Sequence, residues 1–317
     1  MSFLLRPDES VTRGFRRLAR KELEKTRDEL RRARPPHDTA IHEARKSVKE
    51  VRALLQLIED DGGDGLGGSG ARLRSVNRTL SELRDADVMI ETLARLRTRH
   101  PQLLSEHTFA RVLRGLADRK RAAIEKVGSG AWRAVDRKLR SVRRRARHWT
   151  PAHRGCSALT RGIRAVHRRG RKAMRRAETR QRALDFHAWR KEMKALWYAL
   201  RVIEQSDPSV RQDVRALQRA ETWLGDEHNL VLLCEQLSSD VSVCRSPLDI
   251  DRLRLVVDRE QCGLREKAAA RVRSVYNRRS GAYARAVARA CKAWRGRARH
   301  SGDRRRRRAD RMAQRSA

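Results

Sequence analysis

Residues 41–59, IHEARKSVKEVRALLQLIE, align without a gap on residues 186–204, FHAWRKEMKALWYALRVIE, so that His187 follows His42 by 145 positions. A second match lies downstream. LSELRDADVMIETL at 80–93 falls on LGDEHNLVLLCEQL at 224–237, an offset of 144 that puts Arg84 on His228 and Asp85 on Asn229. Two matches at nearly one spacing imply a duplicated unit of four or five elements. Whatever this chain folds into is therefore built twice.

The unit is helical. Ala, Leu, Arg, Glu and Lys dominate long segments with apolar residues every three or four positions, and strand-like alternation is short and rare. Pro and Gly breaks predict helices over 9–33, 39–60, 71–99, 103–127, 131–148, 157–183, 185–205, 208–239, 248–277 and 280–299. Asp38 and Asp185 read as N-caps, and the glycine-rich run 61–70 as a flexible loop. The expected class is all-α: two antiparallel helical bundles related by a pseudo-twofold axis, at 5–150 and 151–299, followed by an Arg-rich disordered tail at 300–317.

On the repeated helix, Ile41, Ala44, Val48, Val51, Leu55 and Ile58 follow the spacing of a buried stripe, and Phe186, Trp189, Met193, Leu196, Leu200 and Ile203 repeat it. One position later runs a basic stripe. It comprises His42, Arg45, Lys49 and Arg52 in the first copy and His187, Arg190, Lys194 and Arg201 in the second, with Lys46 and Lys191 beside them. Such a row is centred roughly 120° round from the core stripe, and its charges rise by about 4.5 to 6 Å each. Glu43, Glu50 and Glu192 lie close in sequence but off the row. Like charges three and four residues apart destabilise a helix unless an anion offsets them.

The whole chain is strongly basic, with 77 Lys plus Arg against 39 Asp plus Glu and a formal charge of +38. The partner this favours is a polyanion. Rows of Arg, Lys and His suit phosphoryl oxygens, through forked guanidinium donors, compact ammonium charges and imidazole N–H groups. Protonation of His42 and His187 below about pH 6.5 is expected to tighten such binding. Nonspecific nucleic-acid binding is the alternative, since a chain this basic binds DNA or RNA at low salt. Against it, aromatic content is 4% and Trp189, Trp223 and Phe186 fall at core spacing, leaving few stacking platforms.

Other classes are disfavoured. The five cysteines form no C-x-x-C pair, which argues against a disulfide framework and a zinc ribbon and fits a reducing cytosol. There is no apolar run of membrane-spanning length and no evident export signal. No metal is expected, since His42, His187 and His228 show no H-x-x-x-H spacing and their surroundings are positive. Phosphate-binding glycine loops and nucleophile elbows are missing, so no catalytic role or cofactor is expected.

The pattern H-x-x-R-K-x-x-K-x-x-R at 42–52, its partner H-x-x-R-K-x-x-K-x-x-x-Y at 187–198, and the corners L-S-x-x-R-D at 80–85 and L-G-x-x-H-N at 224–229 resemble the CHAD domain, the conserved histidine α-helical domain. The resemblance covers most of residues 5–299. It implies a noncatalytic module that binds inorganic polyphosphate, a cytoplasmic location at polyphosphate granules, and polyphosphate-metabolising enzymes as neighbours. By position, His42, Arg45, Lys46, Lys49 and Arg52 match the first family stripe, and His187, Arg190, Lys191, Lys194 and Tyr198 the second. Arg84, His228 and Arg201 extend the candidate surface. Trp197 departs from the basic residue usual at its place, and Arg201 from an acidic one. Arg13, Arg16, Arg17 and Arg20, loosely mirrored by Arg161, Arg164, Arg168 and Arg171, read equally as rims of that surface or as ordinary solvated residues.

Overall fold

In a computed structural model the chain is described over residues 3–32, 38–103, 105–126, 129–239 and 247–315; side chains at 38, 82, 83, 85, 86, 123, 126, 129, 238, 239, 247–250 and 299–315 lie outside this description. Among the described residues, ten α-helices follow one another. They are α1 (Val11–Arg32), α2 (Asp38–Asp60), α3 (Ser69–Arg99), α4 (Glu106–Lys126), α5 (Ser129–Arg145), α6 (Cys156–Arg180), α7 (Ala183–Arg201), α8 (Pro208–Ser239), α9 (Pro247–Tyr276) and α10 (Ser280–Arg315). Short 3-10 turns follow α5 at Ala146–His148 and α7 at Glu204–Ser206. The class is all-α, and each helix expected from periodicity has its counterpart. Helix α10 continues to Arg315, past residue 300 where a disordered tail was expected to begin.

The helix ends follow local chemistry. Pro208 opens α8, where its missing N–H would have had no partner, and Asp207 Oδ1 accepts the Ser209 N–H at 2.8 Å. Gln181 closes α6 in the left-handed region (φ 53), its N–H donating to the Ala177 carbonyl at 2.9 Å. The Asp185 expectation needs correction. Helix α7 starts at Ala183, so Asp185 lies inside the first turn and pairs with Arg182 at 2.9 Å and Arg176 at 2.8 Å. Its carboxylate serves the adjacent arginines and the positive end of the helix.

The glycine-rich run is also tied down more than its composition suggests. Asp64 and Thr150 exchange backbone hydrogen bonds at 2.8 and 3.0 Å, and both Asp61 carboxylate oxygens take N–H groups of His153. Gly65, with φ +80, is obligatory there, because a Cβ would lie 2.2 Å from the His148 carbonyl oxygen.

Every residue of the two predicted apolar stripes is buried. They belong to one large core in which α2 packs on α1, α3, α6 and α7, and α7 on α6 and α8. A second cluster joins α3, α4, α8 and α9 through Met89, Leu93, Leu233 and Leu253 among others. Contacts between α2 and α7 and between α3 and α8 bring the repeated segments together.

One cysteine expectation is overturned. Cys156 at the start of α6 and Cys291 in α10 are disulfide-bonded, with Cα atoms 6.2 Å apart. The pair is separated by 135 residues, so no local spacing could announce it.

Candidate functional site

The buried stripes set where the basic ones go. Because α2 and α7 turn their apolar faces into the shared core, the adjoining rows of cations meet near the α2–α7 contact. Lys49 feels Lys194, Arg45 and Arg190, and Lys194 feels Arg190 and Arg45 in turn. Four cations from two helices are thus gathered into one cluster. Burial, reinforced by those neighbouring charges, brings the Lys49 ammonium down to about 7, and the same causes lower Lys194. Of the two, Lys49 is the one brought close to neutral pH, whereas Lys194 also has a carboxylate partner.

A carboxylate from a third helix also reaches the cluster. Glu221 of α8 lies 3.0 Å from Arg190 Nη2 and pairs with the Lys194 ammonium. Burial on its own would raise Glu221, but Lys194 and Arg190 overcome that and hold it low, so it stays ionised. This corrects the expectation that the second row has no acidic partner. Glu221 is 27 positions from Lys194 in sequence but one helix away in space. It stands three residues before Leu224, where the first repeat has Asn77 before Leu80. Asn77 Oδ1 is buried without a hydrogen-bond partner. Gly225, one turn along α8 from Glu221, leaves room for Arg190: a Cβ there would approach Nη2 to 3.1 Å. Arg45 donates to the Leu80 carbonyl at 3.4 Å, tying the first row to α3.

The histidines flank the cluster without being charged near neutral pH. The His187 and His228 rings lie tilted against each other, with centroids 4.0 Å apart. Burial and the cations Lys191, Arg190 and Lys194 hold His187 at about 4, and burial together with His187 and Arg190 holds His228 at about 4. His187 Nδ1 is buried without a partner. His42 is exposed, and burial of part of its ring together with Arg84 lowers it as well.

The remaining candidates are dispersed. Lys46 pairs with Glu43 at 3.4 Å, Arg84 with Glu91 at 2.9 Å, and Arg201 with Glu50 at 2.5 Å. Arg52 is influenced by Arg74 and Glu59 rather than by the central cations. Tyr198 is buried against Trp197, centroids 4.6 Å apart, and burial followed by Glu221 and Glu50 pushes its phenol up. It remains a neutral hydroxyl. Lys191 is exposed beside the cluster. Among the described residues, no group of three His, Cys, Asp or Glu side chains is placed to hold a metal ion.

Comparison with known proteins agrees with this architecture. The family model described as "CHAD domain" matches residues 17–238. No curated protein matches the chain. Among solved structures, the crystal structure of the CHAD domain from the plant Ricinus communis superposes with a TM-score of 0.62 at 18% identity, covering 91% of this chain and 95% of that one. At that identity the likeness speaks for the fold alone.

Proposed function

For a chain that belongs to the CHAD domain family, we propose that Arg45, Lys49, Arg190 and Lys194 bind a stretch of inorganic polyphosphate. CHAD domains are noncatalytic anion-binding modules, and the proposal concerns which anion this one takes and where. The observation that carries it is the convergence of four cations from two helices on one partly sheltered place, where the Glu221 carboxylate pairs with Arg190 and Lys194. Such a cluster is self-repelling when empty. A polyphosphate segment offsets the repulsion, raises the proton affinity of Lys49 and accepts charge-assisted hydrogen bonds from the two guanidinium groups.

On this reading the chain is two helical halves, 5–150 and 151–299, related by a pseudo-twofold axis, with each half lending one row. Lys191, His42 and Lys46 extend the surface for a longer polymer. Arg52, Arg84, Arg201 and Tyr198 act on its edges through their local pairs. No described helix is long and apolar enough to cross a membrane. The proposed setting is the cytoplasm at polyphosphate granules, beside polyphosphate-metabolising enzymes. The quadruple variant R45Q/K49Q/R190Q/K194Q tests the site. It should lose polyphosphate affinity by more than about tenfold while keeping its helical circular dichroism; undiminished affinity would move the site elsewhere.

A further inference from the structure

A second concentration of charge lies on other helices. Helix α1, the end of α5 and the 3-10 turn after it enclose an open groove of about 670 Å³. Its walls carry Arg13, Arg16, Arg20 and Lys21 from α1 and Arg143 and Arg147 from the opposite side, with Arg17 nearby. Against these seven cations the lining includes one carboxylate, Glu24.

The cations are not all in the same condition. Glu9 holds Arg17 through a 2.9 Å bond to Nε, and Glu24 pairs with Arg143. Arg16 is positioned without being neutralised, its Nε donating to the Trp149 carbonyl at 2.8 Å and its Nη2 to Thr150 Oγ1 at 3.0 Å. Among the described residues no carboxylate forms an ion pair with Arg13, Arg16, Arg20, Lys21 or Arg147. An ordinary solvated helix face spreads such charges outward. Here they surround one concave volume, and the start of α1, where Ser10 Oγ accepts the Arg13 N–H at 3.1 Å, opens into it with its positive dipole end.

We infer that this groove is an anion site separate from the central cluster, for a compact ligand carrying several closely spaced phosphoryl groups. The lining supplies guanidinium, ammonium and hydroxyl groups and one carboxylate, and contains no aromatic or aliphatic residue. A nucleobase finds no aromatic ring to stack on. Forked guanidinium donors three and four residues apart match adjacent phosphoryl groups. Inorganic oligophosphate and a multiply phosphorylated polyol share that chemistry. The inference goes beyond the central polyphosphate reading and does not depend on it.

The test is a calorimetric titration of the full chain at about 150 mM salt, with tripolyphosphate in one arm and inositol hexakisphosphate in the other. R13Q/R20Q/K21Q should remove one equivalent of bound ligand. R161Q/R164Q/R168Q, which takes equal charge from exposed positions of α6, should retain it. The quadruple central variant should also retain the groove equivalent, so that failure of either site is seen separately. Binding in one arm only, or in both, supports the inference and identifies the source of the phosphoryl groups. Equal losses in the two triple variants, unchanged stoichiometry in R13Q/R20Q/K21Q, or displacement of the groove ligand by duplex DNA would overturn it.

Discussion

Arg190 Nη2 of α7 lies 3.0 Å from Glu221 Oε1 of α8, whereas the position matching Glu221 in the first repeat is Asn77. The two copies of the basic row therefore differ in charge at equivalent places. One lends its cations already partnered by a carboxylate, and the other has an uncharged amide in that register. Glu221 lets two cations be held in a partly dry site, and on the proposed reading it would compete with an incoming anion.

Replacing the carboxylate separates these roles. Glu221→Gln leaves Lys194 and Arg190 without their counter-charge, and loss of one member of such a pair costs on the order of 2 kcal/mol. The variant should unfold at lower urea concentration yet bind polyphosphate about tenfold more tightly. Weaker binding together with lower stability would show that Glu221 supports the site rather than opposing the anion.

Lys49 presents the converse case. It is held half-buried among like charges, and Lys49→Met removes both the repulsion and the cost of burial at similar volume. The apo protein should melt a few degrees higher while polyphosphate affinity falls. Thermal melts with and without ligand read both effects, and a lower apo melting temperature would contradict the assigned environment.

The pH dependence follows from the same group. With Lys49 at about 7 in the folded chain against 10.5 ordinarily, the unfolded chain holds more protons between those values. This group's unfavourable contribution is fully present below pH 7 and is relieved as pH rises towards 10.5. Binding runs the other way: affinity should fall between pH 7 and 9, with proton uptake on binding measurable in buffers of different ionisation enthalpy. His187 and His228, held at about 4, add no charge between pH 5 and 6.5. The tightening below pH 6.5 expected from unperturbed histidines should therefore be missing for this pair, and His187→Gln should leave the profile over that range unchanged.

Gly225 tests the room made for Arg190. Alanine in a helix interior is favoured over glycine by up to about 1 kcal/mol, but its Cβ would press on the guanidinium at 3.1 Å. Gly225→Ala is expected to keep or slightly raise stability and to weaken polyphosphate binding severalfold. Unchanged affinity would mean that Arg190 adjusts freely.

Much of the fold was legible because one stripe decides it. Ile41 to Ile58 and Phe186 to Ile203 are buried as their spacing requires, and the positions next to them can only flank the core. Which flanking cations converge was legible in part. Arg45, Lys49, Arg190 and Lys194 do; Arg52, Arg84 and Arg201 have their own neighbours. What sequence could not show was contact between remote segments. Glu50 reaches Arg201 across 151 positions, Cys156 reaches Cys291, and Glu221 enters from a helix whose register relative to α7 is set by packing. Asn77 and Glu221 lie three residues before the aligned segments that begin at Leu80 and Leu224, and a single acid in a polar helix carries no signal until its neighbours are placed. Partial shielding of His187 and His228 likewise comes from the packed helices, which no spacing reveals.

The central claim is that this cationic cluster selects a linear phosphate polymer over other polyanions. A competition titration at about 150 mM salt measures it directly: labelled polyphosphate bound to the full chain is challenged with excess duplex DNA, in parallel with the R45Q/K49Q/R190Q/K194Q variant. The account predicts that the native chain keeps its polyphosphate and the variant releases it. Release by the native chain at the same DNA concentration would contradict the claim and favour a nonspecific nucleic-acid binder.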